Sequence, residues 1–139
     1  MYKTILVPVD LTTPDDTQRL LGMASELAAQ WGSDLHVANI VPDMGMAMVG
    51  AAFKNSHEQE TIEAATSELA ASVQTAGVEA EMHVGMGTIY DQVITLAEKV
   101  DADLILIGAH RPELRDYLLG SNAARLVRHS NRSVLVVRD

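Results

Sequence analysis

Five short apolar runs, separated by stretches of helical spacing, constrain this chain more than any other feature. The runs occupy 3–9, 34–41, 79–84, 103–107 and 133–137. Thr4-Ile-Leu-Val7, Leu104-Ile-Leu-Ile107 and Val134-Leu-Val-Val137 are continuously apolar or β-branched, as strands covered on both faces should be. The run at 79–84 alternates instead, which predicts a half-exposed edge strand. Between the runs, apolar residues recur at helical intervals. Leu20, Ala24, Leu27, Ala28 and Trp31 share one face, after a start signal at Thr13-Pro-Asp-Asp16 and before a stop at Gly32. Ile62, Ala65, Thr66, Leu69, Val73 and Ala76 form a second face, opened by the capping-box pattern Ser56-His-Glu-Gln59 and closed by Gly77. Tyr90, Val93, Ile94, Ala97 and Val100 form a third, after the turn Gly85-Met-Gly-Thr88. A fourth helix is expected over 119–129, with His129 as a cation at its C-terminus. The order βαβαβαβαβ predicts an open parallel sheet with helices on both faces, an α/β fold.

The stretch 42–55 carries Met44, Met46, Met48 and Phe53 and has no clear period. It reads as a surface loop, with an adaptable lid over a site as the alternative. The 139 residues suit one domain. Hydrophobic residues make up 47% but aromatic ones only 4%, so the core must be aliphatic. There is no cysteine, which removes disulfides and thiol chemistry. The five histidines show no H-x-x-x-H or H-E-x-x-H spacing, so no protein zinc site is expected. A formal charge of −9 argues against a nucleic-acid backbone as partner. No apolar run approaches the about 18 residues of a membrane span. The N-terminus lacks a leader-like apolar segment, and a cytoplasmic location is expected.

The chemistry concentrates in Gly108-Ala-His-Arg-Pro-Glu-Leu-Arg-Asp-Tyr-Leu-Leu-Gly-Ser-Asn122. This stretch joins the C-terminal end of a strand to a helix start, the edge where open α/β sheets place ligands. Gly108 and Gly120 permit close backbone approach. Ser121 and Asn122 are candidate helix caps, and the free amides of the helix start suit an anion. Arg111 and Arg115 add positive charge. The spacing matches neither the dinucleotide fingerprint nor the Walker pattern.

Together with Thr4-Ile-Leu-Val-Pro-Val-Asp10 and Ser133-Val-Leu-Val-Val-Arg138, this stretch resembles the universal stress protein family. The form A-H-R-P-x-(L/I)-x-x-Y-L-L-G-S-N-A-A is similar to the F/G subtype of enteric bacteria. ATP-binding members carry G-x2-G-x9-G-[ST] here. In this chain Arg111 replaces the second glycine, and eight residues lead to Gly120-Ser121. The Arg111 guanidinium either substitutes for the lost backbone geometry or blocks the site. The resemblance implies a Rossmann-like fold of the adenine nucleotide alpha-hydrolase-like group, with strand order 3-2-1-4-5. It implies that Pro8, Val9 and Asp10 line an adenosine pocket and that the backbone of Ile40 meets the adenine edge. By the same resemblance Ile107, Gly108, His110, Arg111, Gly120, Ser121 and Asn122 take ribose and phosphates. The expected ligand is ATP, with Mg²⁺ held by phosphate oxygens rather than by a protein cluster.

Each of these residues also has a structural reading. Asp10 suits a turn, Ile40 a strand core, Gly85-Met86-Gly87 a tight turn, and His110 a solvated loop. The implied role is a nucleotide-binding regulatory module of the stress response, with at most slow hydrolysis. It also implies a homodimer through the last strand, Ser133 to Arg138, whose apolar edge invites antiparallel pairing. An ATP-cleaving enzyme of the same fold group is the first rival. The pyrophosphate loop S-G-G-x-D-S of that group is replaced here by Asp10-Leu-Thr-Thr13. An interaction-only dimer without nucleotide is the second. A phospho-receiver is disfavoured, because Gly85 stands where it would need an acid.

Overall fold

The computed structural model describes residues 1–42, 51–109 and 120–138, without the side chains of 51–55. The strands are β1 (Thr4–Pro8), β2 (Asp34–Val41), β3 (Glu81–Met86), β4 (Leu104–Gly108) and β5 (Ser133–Val137). The helices are α1 (Pro14–Trp31), α2 (Ala51–Ala76), α3 (Ile89–Lys99) and α4 (Ser121–His129). All pairings are parallel, and the strand order is 3-2-1-4-5, as the resemblance implied.

Strand periodicity divides the core in two. Ile5, Val7, Leu35, Val37, Leu104 and Leu106 point to one face and pack with Leu20, Leu21 and Ala24 of α1 and Leu69 and Val73 of α2. Leu6, Ala38, Ile40, Ile105 and Ile107 point to the other, against Val93 and Ala97 of α3 and Ala123 and Leu126 of α4. Both clusters are almost wholly aliphatic, as the composition required. Tyr2 and Trp31 meet edge to face at 5.4 Å on the rim of the first.

Local signals hold at most boundaries. α1 begins with Pro14 in its first turn and ends at Gly32 in the left-handed region, φ 67°. Gly77, also at φ 67°, ends α2. Three expectations need correction. The Ser56 capping box is unused, because α2 already runs from Ala51 and Ser56 lies within it. Residues 51–55 are therefore helical rather than loop, while the methionine-rich 43–50 lies outside the described residues. Finally, the hydroxyl of Thr13 does not cap α1 but donates to the Asp10 carbonyl at 3.1 Å.

The N-terminal edge of the sheet has its own ties. The Asp103 carboxylate accepts from the amides of Lys3 and Thr4 at 2.9 Å each. Burial alone would raise its pKa. The amide bonds from Lys3, Thr4 and its own backbone, together with the Lys3 charge, outweigh burial and hold it below the usual value. At the other end of this edge, His36 of β2 meets His83 of β3. Burial first, and then His36, hold the His83 imidazole below its ordinary range; Glu81 opposes and Lys99 adds to the lowering. β3 is an edge strand with an exposed start, as its alternation predicted.

Candidate functional site

A cleft of about 620 Å³ opens at the C-terminal edge of the sheet. It has a topological cause. The chain leaves β1 towards α1 on one face and leaves β4 towards α4 on the other. With α1 and α4 on opposite faces of neighbouring strands, a crevice is left at this edge.

Eight of the eleven candidate residues line this cleft: Pro8, Val9, Asp10, Ile40, Ile107, Gly108, Gly120 and Asn122. β1 and its continuation bring Pro8, Val9 and Asp10. The ends of β2 and β4 bring Ile40, Ile107 and Gly108, and the start of α4 brings Gly120 and Asn122. Ser121 is the first residue of α4, exposed and outside the lining. His110 and Arg111 lie outside the described residues, as does Arg115.

The floor is rigid where β1 runs out. The Val9 amide donates to the Ala38 carbonyl at 2.8 Å, and Asn39 Nδ2 donates to the Val9 carbonyl at 3.0 Å. Asp10 then turns the chain. Its Oδ1 accepts from the Thr12 amide at 2.9 Å and from Thr12 Oγ1 at 2.6 Å, a side-chain turn. Its carbonyl accepts from the buried hydroxyl of Thr17 at 2.7 Å. The turn reading of Asp10 is thus realised, and the same residue faces the cleft.

The opposite wall has different chemistry. Gly120 is the N-cap of α4 with extended backbone, φ −61° and ψ 153°, and no side chain caps this helix. Ser121 and Asn122 are consequently not the caps the sequence suggested; they are the first two helical residues. The Ala124 amide donates to the Gly120 carbonyl at 2.9 Å, so the amides of Ser121, Asn122 and Ala123 precede the first intrahelical bond. Such a helix start carries partial positive charge.

Sequence reasoning missed several lining residues: Thr12, Thr13, Thr17, Asn39, Ala65 and Glu68. Asn39 was legible in principle, as a polar residue in the middle of an apolar strand. Ala65 and Glu68 were not, because only the packed fold brings α2 to this edge. Gly85 and Gly87 do not line the cleft. The tight turn expected at Gly85-Met86-Gly87 holds only for Gly87, at φ 138° beside the Gln92 side chain; Gly85 and Met86 belong to β3, which runs to 86 rather than 84. Three carboxylates line the cleft, Asp10, Asp16 and Glu68, and Asp16 pairs with Arg19 at 3.2 Å. They do not converge as a three-ligand metal set among the described residues.

Comparison with known proteins agrees with this geometry. The model of the universal stress protein family matches residues 1–138. Universal stress protein G of Salmonella typhimurium is 32% identical over 143 residues, covering 99% of this chain and 100% of that protein. The solved structure of the hypothetical protein MJ0577 superposes with a TM-score of 0.79 at 24% identity, covering 100% of this chain and 97% of that one. A universal stress protein in complex with cAMP gives 0.70 at 26% identity, over 99% and 97% of the two chains. One from Archaeoglobus fulgidus in complex with dAMP gives 0.64 at 26%, over 99% and 98%. Fold, cleft and sequence lead to one assignment: the chain belongs to the universal stress protein family.

Proposed function

We propose that this protein binds an adenine nucleotide, ATP with Mg²⁺, in the cleft between β1 and β4, and acts as a regulatory module of the stress response in the cytoplasm. The observation that carries this reading is the convergence of Pro8, Val9, Asp10, Ile40, Ile107, Gly108, Gly120 and Asn122 on one crevice. Its volume lies within the range of about 300–1,000 Å³ usual for small-molecule sites. The chemistry of the walls suits the two ends of a nucleotide. Val9, Ile40 and Ile107 offer apolar surface to a base. The uncapped start of α4, beside Gly108, offers amides to phosphates. The cAMP and dAMP complexes of relatives with 26% identity support the adenine choice.

Mg²⁺ would be held by the phosphates, since among the described residues the cleft carboxylates form no converging set. Binding rather than rapid turnover is the reading. No histidine lines the described part of the cleft, and the Asp10 carboxylate is engaged by Thr12. We also propose that the protein is a homodimer through β5, a sheet edge with backbone groups open to a two-fold partner.

Thermal unfolding with Mg-ATP, Mg-GTP and AMP tests the assignment. Saturating adenine nucleotide should raise Tm in proportion to the logarithm of its concentration. An equal shift with GTP would remove the adenine specificity. No shift with any nucleotide would favour a stress protein that works through protein contacts alone.

A further inference from the structure

At the opposite end of the sheet, three metal-ligating side chains converge. His36 Nδ1 lies 2.9 Å from His83 Nε2 and 3.2 Å from Glu81 Oε2, and His83 Nε2 lies 4.0 Å from the same oxygen. We propose that His36, Glu81 and His83 form a binding site for a zinc-type divalent cation, joining the edge strand β3 to β2. The three residues are the one such group among the described residues.

The parallel register builds the site. His36 pairs with Glu81, and Ala38 pairs with His83. Two-residue periodicity therefore puts all three ligands on one face, the face that carries Ala38 and Ile40. The ligand separations bracket the edge of a tetrahedron with bonds of about 2.05 Å, which is roughly 3.3 Å.

The bland account is a hydrogen-bonded pair of stacked imidazoles, with ring centroids 5.2 Å apart and planes at 21°. That account holds the pair by one shared proton, with Glu81 as a largely exposed carboxylate at 3.2 Å that meets a charge only when His36 is protonated. A cation uses all three groups at once. His36 would carry its ring proton on Nε2 and His83 on Nδ1, freeing the two facing nitrogens as donors to the metal.

The donor set fixes the class of ion. Two imidazoles and a carboxylate suit zinc and its neighbours, whereas Mg²⁺ prefers oxygen ligands throughout. Three protein ligands leave a fourth position for water or an exogenous ligand. The histidine side chains are 12% and 24% exposed and the Glu81 side chain 74%, so the ion would sit shallowly with solvent on one side. The chain's net charge of −9 favours cation uptake, and Lys99 is the cationic group that acts on His83. The site is independent of the nucleotide cleft. His36 precedes Ile40 by four residues, about 13 Å along the strand.

The test uses untagged full-length protein, stripped with chelator and titrated with Zn²⁺ and then Co²⁺, without nucleotide. One ion per chain, a visible Co²⁺ absorption of tetrahedral intensity and a raised Tm are expected. Glu81→Gln should weaken binding by about tenfold or more, and a His36→Gln/His83→Gln double variant should abolish the Co²⁺ band. No binding by the wild type at tens of micromolar free Zn²⁺ would overturn the proposal. So would affinity unchanged in Glu81→Gln and His83→Gln, which would place the ion on other histidines such as His57 or His129. If the double variant fails to fold, Glu81→Gln decides alone, because its exposed side chain contributes little to the core.

Discussion

Gly108 has no backbone need to be glycine. It is absent from the positive-φ positions, and a Cβ built on it meets no heavy atom within 4 Å among the described residues. Among the described residues nothing requires its small size, so a bound ligand is the reading that gives it a role. Gly108→Val should therefore leave stability within about 0.5 kcal/mol, as surface changes do. The same variant should weaken nucleotide binding by about tenfold or more if a ligand approaches the backbone there. Circular dichroism and calorimetry on the variant separate the two effects. Gly120 is a less clean probe, because it is buried and a larger side chain there risks overpacking. Asp103 gives a prediction of a different kind. Its folded pKa is depressed, so its contribution is complete above the unfolded carboxylate value near about 3.9. The contribution disappears as pH falls through the lower folded value. Asp103→Asn should lose about 1 kcal/mol at neutral pH, a figure reduced for partial exposure. It should also flatten the acid limb of a stability–pH curve measured by urea unfolding.

At the scale of elements, β5 carries the clearest consequence. The Val137 carbonyl accepts from the Ala109 amide, so the backbone groups of Val137 and Leu135 turn towards β4. Strand alternation turns those of Val134 and Val136 outward, to the free edge. Val136→Pro removes an outward donor and spares the β4 ladder. Light scattering behind a sizing column should give a dimeric mass for the wild type and a folded monomer for this variant, if β5 is the proposed seam. A wild-type mass near 15 kDa, or a dimeric variant, would reject this interface. The same scale shows what the sequence could and could not reveal. β2 and β5 were legible to the residue, because their apolar runs end at Pro42 and at charged neighbours. The start of α2 was not, since the helix begins at Ala51, five residues ahead of the capping pattern at Ser56. Capping by Ser121 and Asn122 failed because the chain enters α4 one residue earlier, at Gly120. The pair of histidines with Glu81 escaped notice for another reason. H-x-x-x-H and H-E-x-x-H are local helical spacings, whereas this cluster depends on the register of two strands distant in sequence.

For the whole molecule, the fold places two features at opposite edges of one sheet: a ligand cleft at the C-terminal ends of the strands and a histidine–carboxylate cluster near the N-terminal ends. The charge of −9 acts on both. It should make free ATP bind more weakly than Mg-ATP at low salt, with the difference shrinking as salt screens the field. Titrations in EDTA and in Mg²⁺ at two ionic strengths would measure it. The central claim, an adenine nucleotide between β1 and β4, is most directly tested by calorimetry with Mg-ATP on the purified, ligand-free protein. The expected result is saturable heat with one nucleotide per chain, lost or much reduced in folded Gly108→Val. No heat at millimolar Mg-ATP, or wild-type affinity in that variant, would contradict it.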